Sequence, residues 1–425
     1  MKFKKIPYIS VFIILMIGLS MLNGCGMNGE PEYAIKSTGH VSADGMFNYD
    51  VYENRTAVIT GGVANDICLT IPAMIDGYPV VEIGDSAFAD NTSIGYLILG
   101  ENVRKISFSA FNQCAGLIRV EATPALRTVG NSAFAGCTAL CEFTGATKLE
   151  TIGESAFFQC ISLVAAPMPD TLKAVEGQAF YGCSSLTEII LPEKMTVVRD
   201  STFGFCDSLT RVELGNVATI EPNAFQRCTS LCKLTIGKTV ASVGESAFRG
   251  CYALSELEIS GKVSEIGYCA FEETPWLEAQ TDAFVIVGDG VLLRYNGTDS
   301  DVTVPSGVRI IADAFCDNDN IKNVTIPDSV IRIGSAAFGG CGQLSRVVVG
   351  NKVQSIADTA FAGCPLLASV YLPKSLTYIG NGAFSGCNLL SSISYAGSAR
   401  DWAKITVEGS NAPLTAAELL TGQKY

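Results

Sequence analysis

Apolar residues recur along this chain with a beat of about 23 positions, carried by the stretch Ile-Gly-x-x-Ala-Phe-x-x-Cys-x-x-Leu. It is plain at Ile152, Gly153, Ala156, Phe157, Cys160 and Leu163. Its phenylalanines fall at Phe88, Phe111, Phe134, Phe157, Phe180, Phe203, Phe225, Phe248, Phe271, Phe315, Phe338, Phe361 and Phe384. The steps are 23 residues except for one of 22 after Phe203 and one of 44 after Phe271. A period in this range specifies a solenoid, in which each coil buries its apolar face only by stacking on its neighbours.

Each coil reads as three pieces. An apolar pair lies eight and five residues before the Phe, as in Val103 and Ile106 or Leu149 and Ile152. The Ala-Phe-x-x-Cys piece follows, with apolar residues three apart that fit a single helical turn. An alternating strand comes last, as in Val212-Glu213-Leu214 or Leu257-Glu258-Ile259, stopped by residues such as Pro192, Pro327 and Pro373. Gly153, Gly244, Gly334 and Gly380 suit a turn that needs a positive φ.

The beat fails in three places, and each failure predicts an element. Residues 46–70 alternate around Glu53, Asn54 and Arg55 and predict a β cap over the open end of the first coil. After Phe271 the Cys is replaced by Thr274, Pro275 and Trp276 follow, and two apolar runs flank Gly288-Asp289-Gly290. This predicts a remodelled coil with a protruding hairpin inserted at about 278–300. From 397 to 425 the pattern predicts a C-terminal cap with short helices at Ala399 to Ile405 and Thr415 to Leu420, Trp402 covering the last coil. The solenoid itself spans residues 71–396.

The repeated motif resembles the BspA-type, or Treponema-type, leucine-rich repeat over roughly Ile71 to Tyr395. The resemblance implies a right-handed leucine-rich-repeat solenoid, here of 13 to 14 coils, β-rich with short helical turns and capped at both ends. It also implies a bacterial protein, secreted or surface-attached. Some members of that family act as adhesins toward host matrix proteins or other bacteria, and they share no catalytic activity.

The N-terminus fits export. Lys2, Lys4 and Lys5 precede an apolar run from Ile6 to Leu19, and residues 1–24 read as a signal peptide. Leu22, Asn23, Gly24 and Cys25 resemble the lipobox of bacterial lipoproteins, which implies cleavage before Cys25 and a diacylglycerol on its sulfur. Two acyl chains hold a protein stably at a membrane. Residues 25–45, polar and containing His40, read as a flexible tether holding the domain clear of the lipid.

Composition then narrows the chemistry. The formal charge of −13 and the lack of any Lys/Arg stripe argue against nucleic acid. Sixteen cysteines invite a disulfide framework, but ten of them sit three places after a repeat Phe, where stacked Cβ vectors run parallel. A ladder of reduced, buried thiols is the better reading, because free Cys packs as a small hydrophobe. With one histidine, at His40, neither a zinc site nor a histidine-assisted nucleophile has its parts, and no cofactor or enzymatic activity is expected. Asp317-Asn318-Asp319-Asn320 starts like a calcium loop, but Ile321 and Lys322 occupy the places of a ligand and the Gly.

What remains is surface. In the last strand of each coil, side chains alternate between the core and the open face of the sheet. The outward row eight residues after each Phe includes Tyr96, Arg119, Glu142, Glu188, Arg211, Lys233, Glu256 and Arg346, and a second row includes Ile98, Ile190 and Tyr371. Interleaved arginine, aromatic and aliphatic side chains suit a protein partner, which the resemblance to adhesins places on a host or neighbouring cell. The hairpin around Gly288, Asp289 and Gly290 is the second candidate. Capture of glycans or peptides for uptake, and a passive spacer of the envelope, are the alternatives.

Overall fold

Nearly every coil supplies one strand to each of two parallel ladders, and this double contribution is what makes the chain a rod. The structure, a computed structural model, describes residues 33–259 and 262–424. The expected leader and Cys25 lie outside the described residues. Within them the chain winds as a β-solenoid of about 16 turns with almost no helix.

The apolar pair before each Phe ends in a two-residue strand. Thr128–Val129 pairs in parallel with Thr151–Ile152, placing Thr128 beside Thr151 and Val129 beside Ile152. Val129 and Ile152 are fully buried while the threonines are not. The alternating piece forms the second ladder, as where Glu142–Thr144 pairs with Arg119–Glu121. Between the ladders the phenylalanines stack. Phe88 through Phe271 form one column with ring centroids 5.2 to 5.7 Å apart, and Phe315 through Phe384 a second at 4.8 to 5.2 Å. Each aromatic contact adds about 0.5–1.5 kcal/mol beyond the area it buries.

Two local expectations change. The Ala-Phe-x-x-Cys piece is a series of tight turns instead of a turn of helix, entered through a residue with left-handed backbone such as Ser132 at φ 54° or Ser155 at φ 55°. Gly153, Gly244, Gly334 and Gly380 are not among the positive-φ residues; of the repeat glycines, those two places after the Phe, such as Gly136 and Gly250, are. A Cβ on Gly153 would lie 2.6 Å from the Asn131 main-chain nitrogen, and one on Gly244 would lie 2.5 Å from that of Pro222. Glycine is needed there because two coils touch backbone to backbone, and spacing along one coil cannot reveal that.

The N-terminal end is also larger than the sequence reading. Within the stretch expected to be a tether, Ile35–Val41 is a strand, antiparallel to Phe47–Tyr52, which pairs in turn with Ala57–Gly62. Ile35–Val41 buries little and so carries no apolar period; main-chain pairing holds it. His40 lies in it, its ring stacked on Tyr49 at 5.1 Å.

At the other end the helices are Ala399–Trp402 and Ala412–Ala416. The residues after them are not a helix: Glu418–Thr421 pairs in parallel with Ser392–Tyr395, and Thr406–Val407 with Tyr378–Ile379. The cap is thus one more coil, and Trp402 packs edge-on against Tyr395 at 5.2 Å.

The hairpin after Phe271 does not protrude. Phe284–Val287 and Val291–Tyr295 pair with each other, and the second strand joins the lateral ladder beside Ile310–Ile311. Its side chains divide between two cores: Val291 and Leu293 pack with the first block of coils, Leu292 and Tyr295 with the second. The Tyr295 ring lies 5.1 Å from Phe315, so it heads the second column. Two apolar runs without polar alternation mark a strand buried on both sides, which is what Val291–Tyr295 is.

Candidate functional site

The outward rows are in register, as the strand period demands. Tyr96, Arg119 and Glu142 stand side by side on neighbouring coils, as do Glu188 with Arg211 and Lys233 with Glu256. Arg346 and Tyr371 belong to the C-terminal sheet, where Arg346 lies beside Ser369 and Tyr371 beside Val348. The nine positions therefore do not share one continuous sheet. The ladder thins to a single bridge between Ala165 and Glu188, where Pro167 and Pro169 remove donors, breaks again between Arg211–Glu213 and Lys233–Ile236, and stops at the remodelled coil.

The charges on this face answer one another. Arg119 pairs with Glu142 at 3.4 Å, Arg211 with Glu188 at 2.6 Å and also with Glu213, and Lys233 with Glu256 at 3.0 Å. Exposed pairs of this kind contribute only about 0–1 kcal/mol each. Their effect on recognition is larger: they satisfy the cations of this face, while Glu121 and Glu258, in no ion pair among the described residues, leave it acidic. The apolar side chains among them have no such engagement with solvent: Tyr96 is 41% exposed, Ile98 37% and Ile190 44%. Around the gap in the ladder, Val164, Ala165, Met168 and Ile190 line a depression of about 690 Å³ with Glu188 and Glu193.

The second candidate, around Gly288, Asp289 and Gly290, has its exposed tip held by contacts on both sides. Gly288 and Gly290 have φ of 54° and 79°, and a Cβ on Gly288 would meet the Val263 carbonyl oxygen at 2.4 Å. The Asp289 N–H donates to that carbonyl at 2.9 Å, and its carboxylate pairs with Arg309. The hairpin tip is a seam between the coil before it and the coil after it.

Beside that seam, on the turn side of the solenoid, a cavity of about 600 Å³ opens between Phe271 and the Asp313–Phe315 segment. Tyr268, Cys269, Asp313 and Cys316 line it, none of which the sequence reading singled out. The place two residues before the Phe varies along the chain, from Ser109 and Ser132 to Gln178, Asn223 and Ala336, so Cys269 and Asp313 there gave no distinct signal; only the missed beat after Phe271 did. The Cys269 N–H donates to the Asp313 carboxylate at 2.7 Å across the break. Burial pushes the Cys269 thiol up to about 12 and the Cys316 thiol up to about 11. Tyr268, beside both thiols, is raised too, chiefly by the neighbouring Cys269. Thiols so held are protonated at neutral pH and are poor nucleophiles.

Among the described residues no three His, Cys, Asp or Glu side chains converge as a metal site, and no helix is long and apolar enough to cross a membrane.

Comparison with known proteins agrees with this architecture. A model of the BspA type leucine rich repeat region matches residues 70–185, 150–278 and 298–410. The crystal structure of a leucine-rich repeat protein from Bacteroides ovatus ATCC 8483 is similar with a TM-score of 0.51 and 23% identity, covering 86% of this chain and 98% of that one. A leucine rich cell surface protein from Faecalibacterium prausnitzii A2-165 shows 26% identity over 87% of this chain and 98% of that one, with a TM-score of 0.43. A search of curated proteins found no match.

Proposed function

This chain belongs to the BspA type leucine rich repeat family, and from that premise we propose that it is a protein-binding scaffold displayed on the outside of a bacterial cell. A lipid on Cys25 anchors it, and the solenoid face binds a protein of a host or neighbouring cell, as an adhesin does. The observation that carries the reading is the exposure of Tyr96, Ile98 and Ile190 in rows where Arg119, Arg211 and Lys233 are each already paired. Burying such apolar side chains gains about 25 cal/mol per Å² without stranding a cation. Arg119, Glu142, Glu188, Arg211, Lys233 and Glu256 then act as a polar rim that fixes orientation, with Arg346 and Tyr371 extending the surface.

The experiment is adhesion of cells displaying the full chain to immobilised host matrix proteins and bacterial surface proteins. Tyr96→Ala with Ile98→Ser lowers retention about tenfold, the loss of one modest hot spot. If no protein retains the cells, the chain is a spacer. In parallel, Cys25→Ala abolishes labelling by palmitate and frees the protein from the membrane; continued labelling contradicts the anchor.

A further inference from the structure

In an intact coil, three main-chain N–H groups of the Ala-Phe turn donate to carbonyls of the next coil. Ser246 donates to Tyr268 at 2.8 Å, Phe248 to Ala270 at 2.8 Å and Gly250 to Glu272 at 3.0 Å. After Phe271 the next such turn is missing. The first group, the Cys269 N–H, is taken by the Asp313 carboxylate in place of a carbonyl. The other two, on Phe271 and Glu273, donate to no group among the described residues. On the opposite wall the Ala314 carbonyl accepts from the Tyr295 N–H at 3.0 Å, while the carbonyls of Ala312 and Cys316, which would receive the missing turn, accept from none.

The cavity of about 600 Å³ lies where this turn is absent, with Phe271 and Cys316 in its lining and Glu273 and Ala312 next to lining residues. Leu277 and Leu293 lie in its apolar lining, and Glu272, Asp313, Asp317 and Asp319 bring carboxylates to it. The two arginines at its edge are already engaged, Arg249 with Glu273 at 3.1 Å and Arg294 with Glu278 at 3.0 Å. The four carboxylates make no ion pair among the described residues. Burial without a cation leaves Asp313 raised to about 6. Unpaired donors on one wall and unpaired acceptors on the other are the complement of a peptide main chain, the arrangement by which strands and turns add to an exposed edge.

We propose that this cavity binds a short peptide segment of another protein, seated by main-chain hydrogen bonds where the turn is missing and carrying a lysine or arginine toward Asp313 and Asp317. The solenoid face plays no part in this site, so either assignment can fail without the other.

The probe is a bead library of random hexapeptides with blocked ends, screened against the full chain. Retained sequences are expected to carry lysine or arginine. The leading peptide loses at least about tenfold in affinity with Asp313→Asn plus Asp317→Asn, the amides preserving shape, and loses nothing with Tyr96→Ala on the face. Thermal melting of the double variant establishes that it is folded. The proposal is overturned if no bead is retained, if retained peptides lack a basic residue, or if the double variant binds them unchanged. Retention of Ca²⁺ or Mn²⁺ with no peptide also overturns it.

Discussion

The thiol of Cys160 donates a hydrogen bond to the main-chain carbonyl of Phe134, one coil earlier, at 3.2 Å. The same carbonyl accepts the Cys137 N–H of its own coil at 3.1 Å, so both of its lone pairs are used. All ten ladder cysteines repeat this bond, at 3.0 to 3.4 Å. A valine of like volume would fill the space but leave the carbonyl one bond short. Cys160→Ala removes both the sulfur's packing and the bond, and should lower stability by about 1–2 kcal/mol, read from the midpoint of urea unfolding.

Burial raises the thiols of Cys160, Cys183, Cys206 and Cys228 well above 9.0, their ordinary value. The unfolded chain ionises at its thiols near pH 9 while the folded chain keeps those protons, so stability falls as pH rises above about 9. A thiol reagent at pH 8 should label the exposed Cys68, Cys141 and Cys232 promptly and the ladder only on unfolding. Prompt labelling of the ladder would contradict its burial.

Gly153→Ala places a methyl 2.6 Å from the Asn131 nitrogen, in the backbone of the neighbouring coil. Neither coil can move without shifting the stack, so a loss of about 2–3 kcal/mol is expected in thermal or urea unfolding. Ser155→Gly, two residues on, relieves a left-handed residue at φ 55° and should be neutral or stabilising. The opposite ranking would mean that φ, and not contact between coils, selects glycine at position 153.

Asp313 holds its proton more tightly folded than unfolded, because burial raises it from 3.8 to about 6. Between those values the folded chain carries the extra proton, and Asp313 costs stability as pH rises. Asp313→Asn keeps an acceptor for the Cys269 N–H but cannot ionise. It should match the parent at pH 3.5 and exceed it by about 1–2 kcal/mol at pH 7, a figure reduced for the partial exposure of the group. Equal stability at both pH values would mean that water or a cation neutralises the carboxylate.

The outward rows were readable because a strand's side chains alternate, and Tyr96, Arg119 and Glu142 stand where that period places them. Their mutual ion pairs were not readable, since opposite charges 23 residues apart become neighbours only when coils stack. The cavity beside Phe271 was half legible. The missed beat located it, but Cys269 and Asp313 stand at a place whose residue varies from coil to coil, so nothing marked them. That the hairpin closes one side of the break while the turn side stays open depends on Tyr295 taking the ring position and the Ala314 carbonyl.

Sequence alone determined the family, the two ladders, the phenylalanine core and the thiol column, because a 23-residue period makes every coil meet a copy of itself. Only the tertiary structure decided what happens where a coil meets something else. Ile35–Val41 became a strand, Glu418–Thr421 extended the sheet, and the hairpin became a seam. At those places the partner is not a copy, so local periodicity carries no record of it, and pairing is settled by main-chain groups that look alike in every residue.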